Sequence, residues 1–130
     1  MKKMLAVGIG GALGTLLRYA MYQIPLPFGV SAHSAATLAI NITGSFFLGM
    51  LTILFIRKIR VTAEMRLAVT TGVMGGYTTF STMSKDAVSL VRAGLVLPAA
   101  GYLALSVGLG LAAAWCGILV GKRLEGRKVA

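Results

Sequence analysis

The sequence predicts an all-α integral membrane protein with four transmembrane helices, in a single domain that covers residues 1–130. Hydrophobic residues make up 57% of the 130 residues and charged residues only 12%, whereas a soluble domain carries roughly a quarter charged residues. The mean hydropathy is +0.85. This length accommodates about four spans of roughly 20 residues each, joined by short loops.

Each apolar run begins or ends at a residue that suits a span boundary. The first stops before Pro25 and Pro27, which cannot continue a helix. The second ends at a basic cluster that begins with Arg57, and Pro98 fits the first turn of the fourth, where a missing N–H costs little. The predicted spans are about 4–24, 31–56, 66–92 and 95–121.

A stretch rich in glycine and hydroxyl residues, from Gly72 to Thr82, interrupts the third span. It holds three glycines followed by a run of threonine and serine. Irregular backbone inside a bilayer is tolerated only where protein buries it or where it lines a hydrated cavity. The stretch therefore predicts a third helix broken mid-membrane, at a permeation or ion-binding site.

Small or polar residues recur at helical spacing in the other spans. Gly10 and Gly14 in the first span indicate close helix packing, since small residues let membrane helices approach each other. Asn41 in the second span and Tyr102 and Ser106 in the fourth allow a second interpretation, because an amide, a phenol and a hydroxyl can form a row of hydrogen-bond donors.

The basic residues indicate a lipid bilayer as partner and not nucleic acid. The formal net charge of +10 comes from residues at span ends rather than along one helix face. Ten of the 13 lysine and arginine residues lie on the side of the two termini, and the other three are Arg18, Lys85 and Arg92. Taken alone, the positive-inside rule places both termini in the cytoplasm.

Three ionisable residues lie near the membrane. Arg18 and Asp86 each allow two interpretations, and His33 allows one. Arg18 either extends to lipid headgroups or lines an anion vestibule. Asp86 either forms a loop ion pair with Lys85 or has a functional role, as ionisable groups at membrane depth do by default. His33 lacks metal-binding neighbours and is predicted to be a solvated loop residue.

The remaining chemistry-bearing residues are assigned structural roles. Cys116 is predicted to be a buried inert thiol, since it is the sole cysteine and lies in an apolar run. Trp115, Tyr19 and Tyr22 are predicted to anchor the chain at the membrane interface. The sequence shows no Ser/His/Asp grouping, paired intramembrane carboxylates or metal-ligand cluster, so an enzyme is not expected.

Three sequence blocks, taken together and in this order, resemble the Fluc/CrcB family of fluoride channels. The blocks are residues 10–19 (GGALGTLLRY), 37–49 (TLAINITGSFFLG) and 72–82 (GVMGGYTTFST). Tyr102 and Ser106 add a weaker fourth block, so the match extends over most of the chain. The combination of the second and third blocks is the most specific part of the resemblance.

The resemblance implies an antiparallel homodimer with dual topology, in which four-helix subunits form two pores for passive fluoride export across the bacterial inner membrane. It also implies a structural sodium ion at the dimer centre, held by the backbone carbonyls of Gly75 and Thr78. Such dual topology conflicts with the uneven distribution of basic residues. The pore positions that the resemblance implies are Asn41, Thr79, Phe80, Ser81, Met83, Tyr102, Ser106 and Arg18.

Two residues depart from the family pattern. Met83 stands where the family has its second pore phenylalanine, and a flexible thioether lacks the positive ring edge that can face an anion. Asp86 stands where the family usually has glutamate, so the same charge has a shorter reach.

Two other functions remain open from the sequence. A small proton-coupled exporter of the four-helix type needs a carboxylate in its first span, which has none here, so Asp86 would have to serve. A non-transport membrane assembly subunit would use the glycines for packing alone, but this leaves Asn41 and residues 78–82 unexplained.

Overall fold

The computed structural model describes residues 1–24, 32–57 and 59–126, and these residues are helical apart from short connections. Pro25, Pro27, the predicted start of the second span at residue 31 and the tail from residue 127 lie outside the described residues. The elements are α1 (Lys2–Tyr22), α2 (Ala32–Arg57), α3 (Ala63–Leu67), a π-helical segment (Ala68–Val73), α4 (Met74–Tyr77), α5 (Phe80–Arg92) and α6 (Val96–Gly126).

Among the described residues, three helices are long and apolar enough to cross a membrane. They are Lys2–Tyr22, His33–Arg57 and Val96–Gly126. Between the second and the third lies the interrupted segment 63–92, whose longest helix, α5, has 13 residues. The predicted all-α membrane class is confirmed.

Glycines bring the helices into backbone contact. A Cβ at Gly14 of α1 would collide with the carbonyl of Val73, and one at Gly10 would collide with the carbonyl of Ala68. On the other side of the bundle, a Cβ at Gly117 of α6 would meet the backbone of α2. The packing role predicted for Gly10 and Gly14 is confirmed, and these two glycines bring α1 against the interrupted segment.

The interrupted segment begins with a capped helix and loosens before the break. The Thr62 hydroxyl oxygen accepts the Met65 N–H at 3.2 Å and caps α3. Residues 68–73 then form a π-helical turn, an element often found at functional sites. The hydropathy pattern does not reveal this turn, whose Gly72 lies against Gly10 of α1.

Two expectations about single residues are wrong. Cys116 is exposed on α6 beside Trp115, which is 63% exposed. An apolar sequence does not distinguish a face turned to lipid from a face turned to protein. His33 lies in the first turn of α2 instead of a loop. The structure adds a contact for Tyr22, which was predicted to be an interface anchor: its hydroxyl oxygen lies 3.0 Å from the Thr37 hydroxyl oxygen.

Candidate functional site

The main chain leaves the helical conformation at Thr78 and Thr79, between α4 and α5. Both residues are extended, with ψ angles of 158° and 119°. Asn41 of α2 bonds this extended backbone twice, because its Oδ1 accepts the Thr79 N–H at 2.8 Å and its Nδ2 donates to the Thr79 carbonyl at 3.0 Å. The amide side chain therefore replaces the helical acceptor that the Thr79 N–H loses at the break, and it adds a donor to the Thr79 carbonyl.

The break also changes the surroundings of two carbonyls upstream. In a continuous helix the Thr79 N–H would bond to the Gly75 carbonyl, and the Thr82 N–H to the Thr78 carbonyl. Here the Thr79 N–H goes to Asn41, and the Thr82 N–H goes to the Thr79 hydroxyl oxygen at 3.1 Å. The Gly75 and Thr78 carbonyls thus lose their helical donors.

Arg18 of α1 reaches the break. Its Nη1 donates to the Thr78 carbonyl at 3.4 Å, a long hydrogen bond. A carbonyl oxygen has two lone pairs, so this contact leaves one acceptor position on Thr78. The guanidinium therefore places a positive charge next to the broken backbone.

An open cleft of about 240 Å³ lies beside the break. Phe80 and Met83, three residues apart and on one face of α5, both line it. Phe80 is 78% exposed and Met83 only 8%, so the ring projects outward while the thioether lies deeper. The residues lining the cleft are Asn41, Ser45, Leu48, Thr78, Thr79, Phe80 and Met83.

The other predicted site residues lie apart from this cleft or at its edge. Ser81 is exposed, with its hydroxyl 3.3 Å from the Thr79 hydroxyl. Ser106 is buried and donates to the Tyr102 carbonyl of its own helix at 2.7 Å. Tyr102 lines a different cleft, and its hydroxyl donates to Asp86 at 3.4 Å. The structure does not align Asn41, Tyr102 and Ser106 in one row around the cleft.

A second polar group, which we call the Asp86 cluster (Tyr22, His33, Thr37, Asp86 and Tyr102), lies one helical turn from the cleft. Asp86 is 8% exposed and lies within α5, not in a loop beside Lys85. Its Oδ2 accepts the Thr37 hydroxyl at 2.9 Å, and its Oδ1 lies 4.0 Å from His33 Nε2. The sequence carried a signal for this cluster, since residues 33, 37 and 41 follow each other at one-turn spacing.

Apolar helices packed through glycines, with a broken segment and a polar cleft at the break, define a multi-pass membrane protein. The family described as CrcB-like protein, Camphor Resistance (CrcB), matches residues 5–118. The chain belongs to this family.

Relatives of similar length share about two fifths of the sequence. A Rhizobium etli protein named fluoride-specific ion channel FluC is 41% identical over 120 residues, which cover 92% of this chain and 96% of the relative. Its namesake from Rhizobium meliloti is 42% identical over 118 residues, 91% and 94% of the two chains. Fluoride-specific ion channel FluC 2 of Geobacillus kaustophilus is 43% identical over 113 residues, which cover 87% of this chain and 88% of the relative.

Proposed function

We propose that this chain is a fluoride-selective ion channel of the bacterial inner membrane, which exports fluoride passively and lowers its cytoplasmic concentration. The observation that carries the proposal is the cleft beside the break that Asn41 holds, in a chain whose relatives are named fluoride-specific ion channels.

The chemistry of the cleft suits a small, strongly hydrated anion. A narrow pathway must replace the water around fluoride with N–H and O–H donors. Asn41 uses one amide hydrogen on the Thr79 carbonyl, which leaves the second for an anion. Phe80 borders the same cleft and offers the positive edge of its ring. Met83 supplies a flexible apolar wall in place of a second ring.

The family's structural sodium ion fits the chemistry of the break. Hard cations bind oxygen ligands. The break leaves the Gly75 carbonyl without its helical donor and the Thr78 carbonyl with one long contact, from Arg18. Gly75 is exposed, and a Cβ there would meet nothing within 4 Å. Two carbonyls are too few for a hard cation, so an antiparallel second copy would complete the ligand set and give the dimer its two pores.

The topology of this dimer has its own test. Ten of the basic residues lie on one side and three on the other, a bias that favours one orientation. Dual topology predicts that a reporter attached to either terminus reacts from both faces of the membrane. Reaction from one face alone would overturn the antiparallel dimer.

The function is tested by anion efflux from liposomes that contain the purified protein. Fluoride and chloride are compared under identical membrane potentials, with protein-free liposomes as the control. We expect rapid fluoride efflux with chloride retained. Retention of both anions, in this chain and in Met83→Phe, would overturn the channel and favour a non-transport assembly role.

A proton-coupled exporter remains the second candidate, because Asp86 is a buried carboxylate with hydroxyl partners. The two mechanisms differ in their driving force. Fluoride movement through a channel stops at the fluoride equilibrium potential, whatever the pH gradient. A coupled exporter shifts that potential when the pH differs across the membrane, and this shift would favour the exporter over the channel.

A further inference from the structure

The Asp86 cluster joins four helices around one carboxylate. His33 of α2 stacks on Tyr22 of α1, with ring centroids 4.6 Å apart and planes 9° from parallel. The Tyr22 hydroxyl lies 3.0 Å from the Thr37 hydroxyl, which donates to Asp86 at 2.9 Å. Because Thr37 has one hydroxyl hydrogen, donation from Tyr22 to Thr37 to Asp86 satisfies all three groups.

The two carboxylate oxygens of Asp86 have different surroundings. Oδ2 accepts from Thr37 and from Tyr102, whereas Oδ1 lies 4.0 Å from His33 Nε2. The His33 side chain is 59% exposed and that of Asp86 9%, so the imidazole connects the buried charge to solvent. Among the described residues, the titratable side chains with a contact to this pair are Tyr22, which stacks on His33, and Tyr102, which donates to Asp86.

The cluster continues directly into the cleft beside the break. Asp86 follows Met83 by three residues on α5, and Thr37 precedes Asn41 by four on α2. Both spacings are close to one helical turn, roughly 5 Å along the axis. A carboxylate one turn from the residues that line the cleft is close enough to act on an anion there, because charges are screened only beyond about 8–10 Å.

We propose that His33 is a positioning residue that neutralises the field of Asp86 when it is protonated and so makes fluoride flux depend on pH. This rests on the proposed function. Neutral His33 leaves the negative charge of Asp86 opposed to an entering anion, whereas protonated His33 compensates it. Histidine is the side chain that ordinarily titrates between pH 5 and 8, so flux rises as the pH falls through that window.

Fluoride efflux is measured with equal pH on both sides, in steps from about pH 8 to about pH 5.5. Protein-free liposomes at each pH give the leak of hydrogen fluoride to be subtracted. We expect flux to rise about fivefold, the factor typical of a partly exposed ion pair. His33→Gln should stay at the high-pH level throughout, and His33→Arg at the low-pH level. Tyr22→Phe keeps the ring stack and should keep the pH dependence.

A second readout does not depend on flux. His33 is the sole histidine of the chain, so a protein purified without a histidine tag gives one imidazole signal in NMR. We expect this signal to change over the same pH range as the flux does. Flux without pH dependence, or pH dependence that survives in His33→Gln, overturns this proposal alone. No flux at any pH overturns the proposed function and this proposal with it.

Discussion

Replacing Asn41 by leucine should destabilise the fold as well as stop conduction. Leucine has the same number and branching of side-chain heavy atoms as asparagine, so the substitution leaves no cavity and removes two hydrogen bonds, at 2.8 and 3.0 Å to the Thr79 backbone. Thr79 is 6% exposed, so water cannot readily replace the lost partner. The break denies the Thr79 N–H its helical acceptor as well.

The size of the effect follows from these two bonds. Hydrogen bonds between membrane helices average about 0.6 kcal/mol and reach about 1.7 kcal/mol, because the unfolded chain in the membrane finds other partners. Leaving a buried polar group without any partner costs about 1–3 kcal/mol. The Thr79 N–H falls in the second category, whereas the Thr79 carbonyl, at the N-cap of α5, can still accept from the helix. We therefore expect Asn41→Leu to lower the free energy of unfolding by about 2 kcal/mol.

The measurement is reversible unfolding in mixed micelles, monitored by far-ultraviolet circular dichroism. Thr52→Ala is the matched control, because Thr52 also lies on α2 but is partly exposed and donates only to Leu48 of its own helix; its effect should stay within about 0.5 kcal/mol. A cost below about 1 kcal/mol for Asn41→Leu would refute the assignment of Asn41 as the residue that holds the break.

Three further predictions follow from the packing, the cleft and the cation. Gly14→Ala should cost at least about 2 kcal/mol in unfolding free energy, because the new methyl group collides with the backbone of the interrupted segment. The control is Gly8→Ala on the same helix, whose methyl group meets nothing within 4 Å and which should be neutral. Equal effects of the two substitutions would contradict the packing. Met83→Phe should keep the fold and preserve or raise fluoride efflux, since the cleft is open beside it, and a large loss of efflux would exclude a pore role for residue 83. Replacing sodium by N-methylglucamine should lower the melting temperature in a concentration-dependent way, as ligand linkage requires, and an unchanged melting temperature would refute the cation site.

The sequence specified the helices better than their contacts. Hydropathy located the three long helices, and the glycine and hydroxyl composition of residues 72–82 located the irregular backbone at 78–79. The partner of that backbone was not predictable in the same way, because Asn41 and Thr79 are 38 residues apart. Their pairing depends on how α2 is placed against the interrupted segment, where Gly44 of α2 lies against the side chains of Tyr77 and Thr78.

The errors at single residues have a common physical origin. A membrane helix is apolar on the lipid side and on the protein side, so hydrophobicity does not tell which way Cys116 faces. His33 stands alone in the sequence, and its neighbours Tyr22 and Asp86 come from two other helices. Each was therefore assigned from its local context, which does not contain the contacts that decide its role.

The bonds at the break distinguish the place suited to a cation from the place suited to an anion. Asn41 and the Thr79 hydroxyl take up two N–H donors, while the carbonyls those donors would have served keep one long contact, from Arg18. These two carbonyls are thus acceptors of the kind that a cation needs and an anion avoids. Fluoride needs donors instead, such as the second amide hydrogen of Asn41. On the function proposed above, sodium and fluoride would therefore occupy different sides of the same break, with Asn41 bonded to the backbone between them.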